Sequence, residues 1–396
     1  MSWIAESLSR VTRPMRLRLR RTVTPLSLTT LSLTTLSLAV LSPSVLAVEY
    51  NMPVGVTAVS REIHSLHMII FWICVVIGIV VFGVMGYAMI KHRKSRGAVS
   101  ASFHENTRIE ILWTAIPLLI LVVMAVPATA TLKDMYDASE SALDVKITGH
   151  QWRWQYEYLG EDVAFTSSLA TPREQINNTA AKGEHYLLEV DNPLVLPINR
   201  KVRFLTTSAD VIHSWWVPDF GVKKDAIPGF INEAWTRIET PGTYRGQCTE
   251  LCGKDHGFMP VVVEALPEAE FDEWLIARKA EAEAALNDAG RDWSLEELME
   301  KGEKTYATIC ASCHQPDGQG MPPAFPSLVG SAIVTQDMQA HIDIVVNGKA
   351  GTPMAAFADV LSPVELAAVI TYERNAWGND TGELVQPAVI KEQLSQ

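Results

Sequence analysis

The sequence predicts a multidomain chain with three folded parts: a two-helix transmembrane hairpin, an all-β sandwich and a small all-α domain. Three observations predict this. Two uncharged apolar stretches, at 68–90 and 111–132, each reach the roughly 20 residues needed to cross a hydrocarbon core. Residues 143–266 break into short alternating runs divided by turn residues, with no helical period between them. After residue 294, helix-like segments surround the pentapeptide CASCH, Cys310 to His314.

Residues 1–47 read as an export signal. Arg10, Arg13, Arg16, Arg18, Arg20 and Arg21 precede an apolar run, and Val45 and Ala47 are small enough for the −3 and −1 cleavage positions. The run holds the repeat LSLTT-LSLTT-LSLAV; its dense serine and threonine favour a cleaved signal over a permanent anchor. With the local +5 of residues 1–47 set aside, the formal net charge of −12 becomes −17. So acidic a surface argues against nucleic acid and favours a basic partner.

The hairpin occupies 48–135. Between its spans lies KHRKSRG, residues 91–97, and a short basic loop stays in the cytoplasm. Both outer ends, and everything after residue 135, then lie in the periplasm, where thiols normally oxidise. Glu110 sits at the cytoplasmic mouth of the second span. It is either a headgroup-level carboxylate or a proton-uptake group. Cys74, alone in an apolar run, reads as packing.

In the middle domain, VKITGHQWRWQYEY, HYLLEVDN, KVRFLTTS, EAWTRIET, GTYRGQC and MPVVVEAL read as strands, with turns at Asp191-Asn192-Pro193 and Pro241-Gly242. Near its end stands GQCTELCGKDHGFMP, Gly246 to Pro260. Two nearby cysteines outside the cytoplasm ordinarily form a disulfide. Here Cys248 and Cys252 have His256 and Met259 close by, and His213 lies upstream in ADVIHSWWVPDF, placed at the end of a strand. Two thiolates, two imidazoles and a thioether make a soft ligand set that points to copper. Zinc accepts two cysteines and two histidines but has little use for Met259. A single blue-copper ion leaves one cysteine unused, whereas two bridging thiolates suit two copper ions sharing an electron.

HSWWVPDFGVKKDAIPGF and GQCTELCGKDHGFMP, together with IEILWTAIP and GHQWRWQYEY, resemble the binuclear copper (CuA) subunit II of cytochrome c oxidase over residues 60–266. The resemblance implies a cupredoxin-like sandwich in which Cys248 and Cys252 bridge both coppers. His213 and His256 each bind one copper, Met259 binds one weakly, and the Glu250 carbonyl binds the other. It implies that the Glu250 side chain reaches a magnesium shared with subunit I, and that Glu110 is the proton-uptake glutamate of the lysine-containing channel. Trp152 matches the tryptophan that receives electrons from cytochrome c, and Glu157 and Asp210 match acidic docking positions. The chain departs from the family in two places: Arg153 replaces the usual aromatic between Trp152 and Trp154, and Phe230 follows DAIPG where arginine is usual.

Residues 267–293, rich in alanine and glutamate, read as a solvated helical linker. C-x-x-C alone could be a dithiol or half a zinc site; with the following histidine it reads as c-type haem attachment through Cys310 and Cys313, with His314 binding iron. Met354 in NGKAGTPMAAF fits a Met/His haem; Met338, the competitor, sits in an amphipathic helix. Residues 295–378 resemble a class I cytochrome c, which implies a proline carbonyl, here that of Pro326, steadying His314. The cytochrome c domain is assigned 294–380 and a tail 381–396.

The combination implies an electron relay. Electrons pass from a periplasmic cytochrome c or a quinol–cytochrome c reductase to haem c, then to CuA, then to haem in subunit I of a proton-pumping oxidase in the bacterial inner membrane. Subunit III is a further expected partner. Fusion sets an effective concentration of about millimolar through linker reach. Three alternatives stand beside this: a copper-containing nitric oxide or nitrous oxide reductase subunit, a quinol oxidase subunit lacking copper, and a metal sensor or assembly factor.

Overall fold

A computed structural model describes residues 51–102, 104–358 and 360–395, so the expected signal at 1–47 lies outside the described residues. The chain divides at Met52 into two units, and of the first only Asn51 and Met52 are described.

Helices α1 (Ala58–Lys91) and α2 (Thr107–Tyr136) form the hairpin and extend beyond the apolar stretches at their starts and ends. Thr57 and Ser60 cap α1 reciprocally, and the Asn106 side chain accepts from Ile109 N to cap α2. Their apolar windows have mean hydropathies of 3.0 and 2.5 and are 0% buried by protein. Such faces are stable only against lipid or other apolar helices.

Among the described residues, ten strands form two five-stranded sheets. One is ordered β3-β2-β1-β5-β8 and the other β4-β10-β9-β6-β7. The strands are β1 (Leu143–His150), β2 (Arg153–Tyr158), β3 (Val163–Ser167), β4 (Leu194–Pro197), β5 (Val202–Ser208), β6 (His213–Val217), β7 (Val222–Ala226), β8 (Asn232–Thr236), β9 (Gly242–Cys248) and β10 (Pro260–Leu266). Pairs β1/β5 and β4/β10 are parallel. Trp154, Tyr156, Phe204 and Trp215 fill the space between the sheets. Each fully buried aromatic of this kind contributes about 1.5–3 kcal/mol.

Three sequence expectations change. HYLLEVDN is not a strand: Leu187 takes φ 61° and Tyr186 N donates to Gly183 O, so the chain turns, and β4 starts only at Leu194. His213 opens β6 rather than ending a strand. The linker is a helix, α3 (Glu268–Asp288), but it is not wholly solvated. Phe271 is buried in the sandwich core, with Trp274 and Leu275 packed beside it.

The C-terminal domain contains α4 (Leu295–Thr305), α5 (Met338–Asn347), α6 (Pro363–Asn375) and α7 (Pro387–Leu394), with short helical turns between them. The expected tail holds α7, and Val385 and Ile390 are buried against α6, so those residues belong to the domain. Helices α4 and α6 cross at Gly302, where an added Cβ would sit 2.2 Å from the Ala368 carbonyl oxygen. Gly302→Ala is expected to force the helices apart and cost about 1–3 kcal/mol. Thermal unfolding monitored by limited proteolysis of the C-terminal domain would show a lowered Tm, and an unchanged Tm would contradict this crossing.

Candidate metal centre and C-terminal crevice

The β9–β10 connection and the start of β6 bring one set of side chains together. Cys248 and Cys252 are buried free thiols with Sγ atoms 3.8 Å apart, well beyond a disulfide bond. Cys252 Sγ lies 3.4 Å from His256 Nδ1 and 3.5 Å from Met259 Sδ. Cys248 Sγ lies 3.3 Å from the Glu250 carbonyl oxygen. His213, Cys248 and Cys252 offer ligand atoms within 4.8 Å of one another. The side chain of Glu250 is exposed.

The surroundings fix the tautomer of His213. Its Nε2 lies 2.8 Å from Asp210 Oδ1, and a carboxylate only accepts, so Nε2 carries the proton. Nδ1 keeps its lone pair and is buried with no protein partner. An added Cβ at Gly149 would lie 2.7 Å from the His213 ring, so glycine there makes room for the imidazole. Trp154 meets His213 edge-on at 5.9 Å and donates Nε1 to Met259 O. Asp210 also accepts from Gln151 N at 2.7 Å and Val211 N at 2.6 Å, so it is an orienting acid and not a free docking charge. Glu157 is paired with Lys146 at 3.0 Å.

The two sulfurs lie close enough to share a proton. Hydrogen bonding with Cys252 draws Cys248 down, and the same contact pushes Cys252 up. A soft cation can replace that shared proton. The orphaned Nδ1, paired sulfurs and thioether fit copper.

Trp152 lies half-buried at the β1–β2 turn, its Nε1 donating to Cys252 O at 3.2 Å. It therefore links the turn to the cysteine loop. Glu110 lies in the first turn of α2, where its carboxylate accepts from Asn106 N at 3.1 Å.

In the C-terminal domain an apolar cavity of about 400 Å³ is lined by Cys310, Cys313, His314 and Met354. His314 Nδ1 lies 3.0 Å from the Pro326 carbonyl, which accepts, so Nε2 keeps its lone pair. Both thiols are free, and the donor set and apolar lining fit a c-type haem. Met338 packs in the core beside the domain's other apolar residues. Sequence reasoning missed that the sandwich closes this cavity: Gln151, Arg153 and Asp210 line it too. Lys254, in the cysteine loop, donates to Ser312 O inside CASCH at 2.9 Å, and Thr166 Oγ1 donates to Val360 O at 3.3 Å. Arg153's departure from the usual aromatic was the signal available in the sequence.

Three known families match successive parts of the chain. Residues 45–130 match the transmembrane domain of cytochrome c oxidase subunit II, and 143–266 match its periplasmic domain. Residues 297–372 match subunit III of cbb3-type cytochrome c oxidase. The chain is 40% identical over 224 residues to a probable cytochrome c oxidase subunit 2 of Rickettsia felis, covering 57% of this chain and 70% of that protein. It is 40% identical over 221 residues to the mitochondrial subunit 2 of Glycine max, covering 55% and 56%. The solved periplasmic domain of subunit II of cytochrome oxidase from Bradyrhizobium japonicum is 41% identical, covering 36% of this chain and 98% of that one with a TM-score of 0.33.

Proposed function

The chain belongs to the cytochrome c oxidase subunit 2 family, with a cytochrome c domain at its C-terminal end, and from that premise we propose that it is the electron-accepting subunit of a proton-pumping oxidase. Membership makes it a membrane-anchored component of an oxidoreductase complex, with an electron-transfer role and subunit I as partner. The family also implies copper and haem. In finer detail, the chain would hold one covalent haem c and one binuclear CuA centre, its donor would be a periplasmic cytochrome c or a quinol–cytochrome c reductase, and its acceptor would be haem in subunit I, where oxygen would be reduced to water. The complex sits in the bacterial inner membrane and includes subunit III.

The two centres, when bound, supply reversible one-electron chemistry. The chain's residues supply the rest. His213, Cys248, Cys252, His256, Met259 and the Glu250 carbonyl would hold the copper pair, and burial of both sulfurs excludes water. Asp210 orients His213 through Nε2. Cys310 and Cys313 would bond the haem, His314 and Met354 would bind its iron, and the Pro326 carbonyl aligns His314. Trp152 bridges the cysteine loop and the β1–β2 turn, a through-bond route into the copper site. Glu110 takes up protons at the cytoplasmic mouth, and the Glu250 carboxylate reaches a magnesium shared with subunit I. Exposed Leu251, Phe230 and Ile231 supply an apolar face suited to subunit I.

One observation carries this reading: two unbonded sulfurs 3.8 Å apart, flanked by two imidazoles and a thioether. Rapid reduction of the purified complex tests it. The c-type α-band is expected to rise before the mixed-valence copper signal fades. Trp152→Phe is expected to slow the second phase about tenfold, equivalent to ~1.4 kcal/mol of barrier. A one-copper spectrum, or copper reduced ahead of the haem, would overturn the assignment.

A further inference from the structure

Arg153 and Trp154 are successive residues of β2, so their side chains leave opposite faces of the sheet. Trp154 enters the sandwich core, and Arg153 points to the outer face. In an isolated sandwich that arginine would meet water. Here the C-terminal domain covers it: the residue is only 5% exposed and lines the same cavity as Cys310, Cys313, His314 and Met354. Its guanidinium carbon lies 5.1 Å from the centre of the Phe357 ring, three residues beyond Met354.

The guanidinium has no acid to pair with. Among the described residues no carboxylate lies within ion-pair distance of it, and its Nε is buried with no hydrogen-bond partner. The two carboxylates that line the cavity are already engaged. Asp210 accepts from Gln151 N, Val211 N and His213 Nε2. Glu373 lies 2.8 Å from His341 Nε2, both side chains being buried. Neighbouring His150 supplies no negative charge; burial first, and then Arg153 itself, pushes its pKa down to about 4. A buried, unpaired guanidinium costs several kcal/mol, and a ligand that brings a counter-charge offsets that cost. Arginine's planar fork matches a carboxylate bidentately.

We propose that Arg153, a residue of the copper-binding domain, binds a propionate carboxylate of the haem held in the C-terminal domain, so that the cofactor itself pins the two domains together. This rests on the reading of the cavity as a haem c site. Cys310, Cys313, His314 and Met354 hold the haem within its own domain, and Arg153 reaches it from the other. The contact starts one residue from Trp152, whose indole donates to Cys252 O, so the residue that orients the haem also sets its position relative to the copper loop. Arg153 is a positioning residue, not a redox group.

The test uses the full chain in its assembled complex, as wild type, Arg153→Gln and Arg153→Lys. Haem content by absorption and the copper resonance signal are recorded first. Absence of haem in the wild type would refute the cavity assignment together with the proposal that rests on it, whereas haem present with an unmoved propionate band would refute the proposal alone. With haem present, the propionate bending band in the resonance Raman spectrum is expected to shift in both variants. In Arg153→Gln the oxidised-to-reduced haem ratio at a fixed ambient potential is expected to rise about tenfold, the equivalent of one charge-assisted hydrogen bond. Loss of a positive charge favours the more positive, oxidised state. Arg153→Lys keeps the charge and is expected to hold that ratio, so it carries the Raman test if the glutamine chain fails to assemble. A propionate band unmoved in the lysine variant, or in both, overturns the proposal.

Discussion

Cys252→Ser is expected to abolish the proposed copper pair and with it oxygen consumption by the complex. Serine fills nearly the same volume, so the sandwich folds, but a hydroxyl is not a soft anionic ligand at neutral pH. Cys252 is central to the cluster. Its sulfur contacts Cys248, His256 and Met259, so one substitution removes the bridge and loosens two other ligands. Even changes outside a metal's immediate ligands cost about 10–100-fold in affinity, and a bridging ligand costs at least about 100-fold. Metal analysis, electron paramagnetic resonance and oxygen uptake on the purified complex check this. The hyperfine pattern of two equivalent copper nuclei is expected to vanish, and turnover is expected to fall at least about 100-fold. The C-terminal α-band is expected to stay. A retained two-copper signal in Cys252→Ser contradicts the bridging role.

The double change Cys310→Ala, Cys313→Ala is expected to empty the C-terminal crevice and unfold the domain around it. The thiols are the covalent anchors of the proposed haem, and the crevice they line measures about 400 Å³. Protein interiors tolerate few voids larger than a water molecule, so an unfilled apolar space of that size leaves the surrounding helices without a core. Haem stain on a denaturing gel is expected to disappear. Limited proteolysis is expected to cut within residues 294–395, while the copper signal of the sandwich persists. Haem that stays bound through denaturation in the double variant contradicts covalent attachment. Unchanged protease resistance contradicts the role of the haem as the domain's core.

How far residues alone foretold these sites depends on how local the determining physics is. The membrane helices were legible because an uncharged run of bilayer length has few other uses. The clustering of Cys248, Cys252, His256 and Met259 was legible because they fall within twelve residues and their chemistry is narrow. The same holds for CASCH. HYLLEVDN misled because its alternation is strand-like while Leu187 takes a left-handed turn that no pattern marks. The linker's apolar face was visible in principle, since Phe271, Trp274 and Leu275 repeat at helical spacing, but the surrounding Glu, Lys and Arg masked it. The departure at Arg153 marked the position as unusual, but neither its burial nor the engagement of Asp210 could be worked out from the chain. Both depend on which faces meet across two domains, and long-range contact leaves no periodicity in sequence.

The docked helix α3 has a consequence for how the carrier is held. Phe271 anchors its beginning in the sandwich core, and Arg278 donates to Asn192 Oδ1 at 3.1 Å farther along. Past its end, Arg291 bonds Asp288 at 2.7 Å on one side and Glu297 at 3.0 Å on the other, while Trp293 N donates to Gln386. A leash would let its cargo roam and return by chance. This strut leaves no slack, so the sandwich and the C-terminal domain are held at a spacing built in at folding.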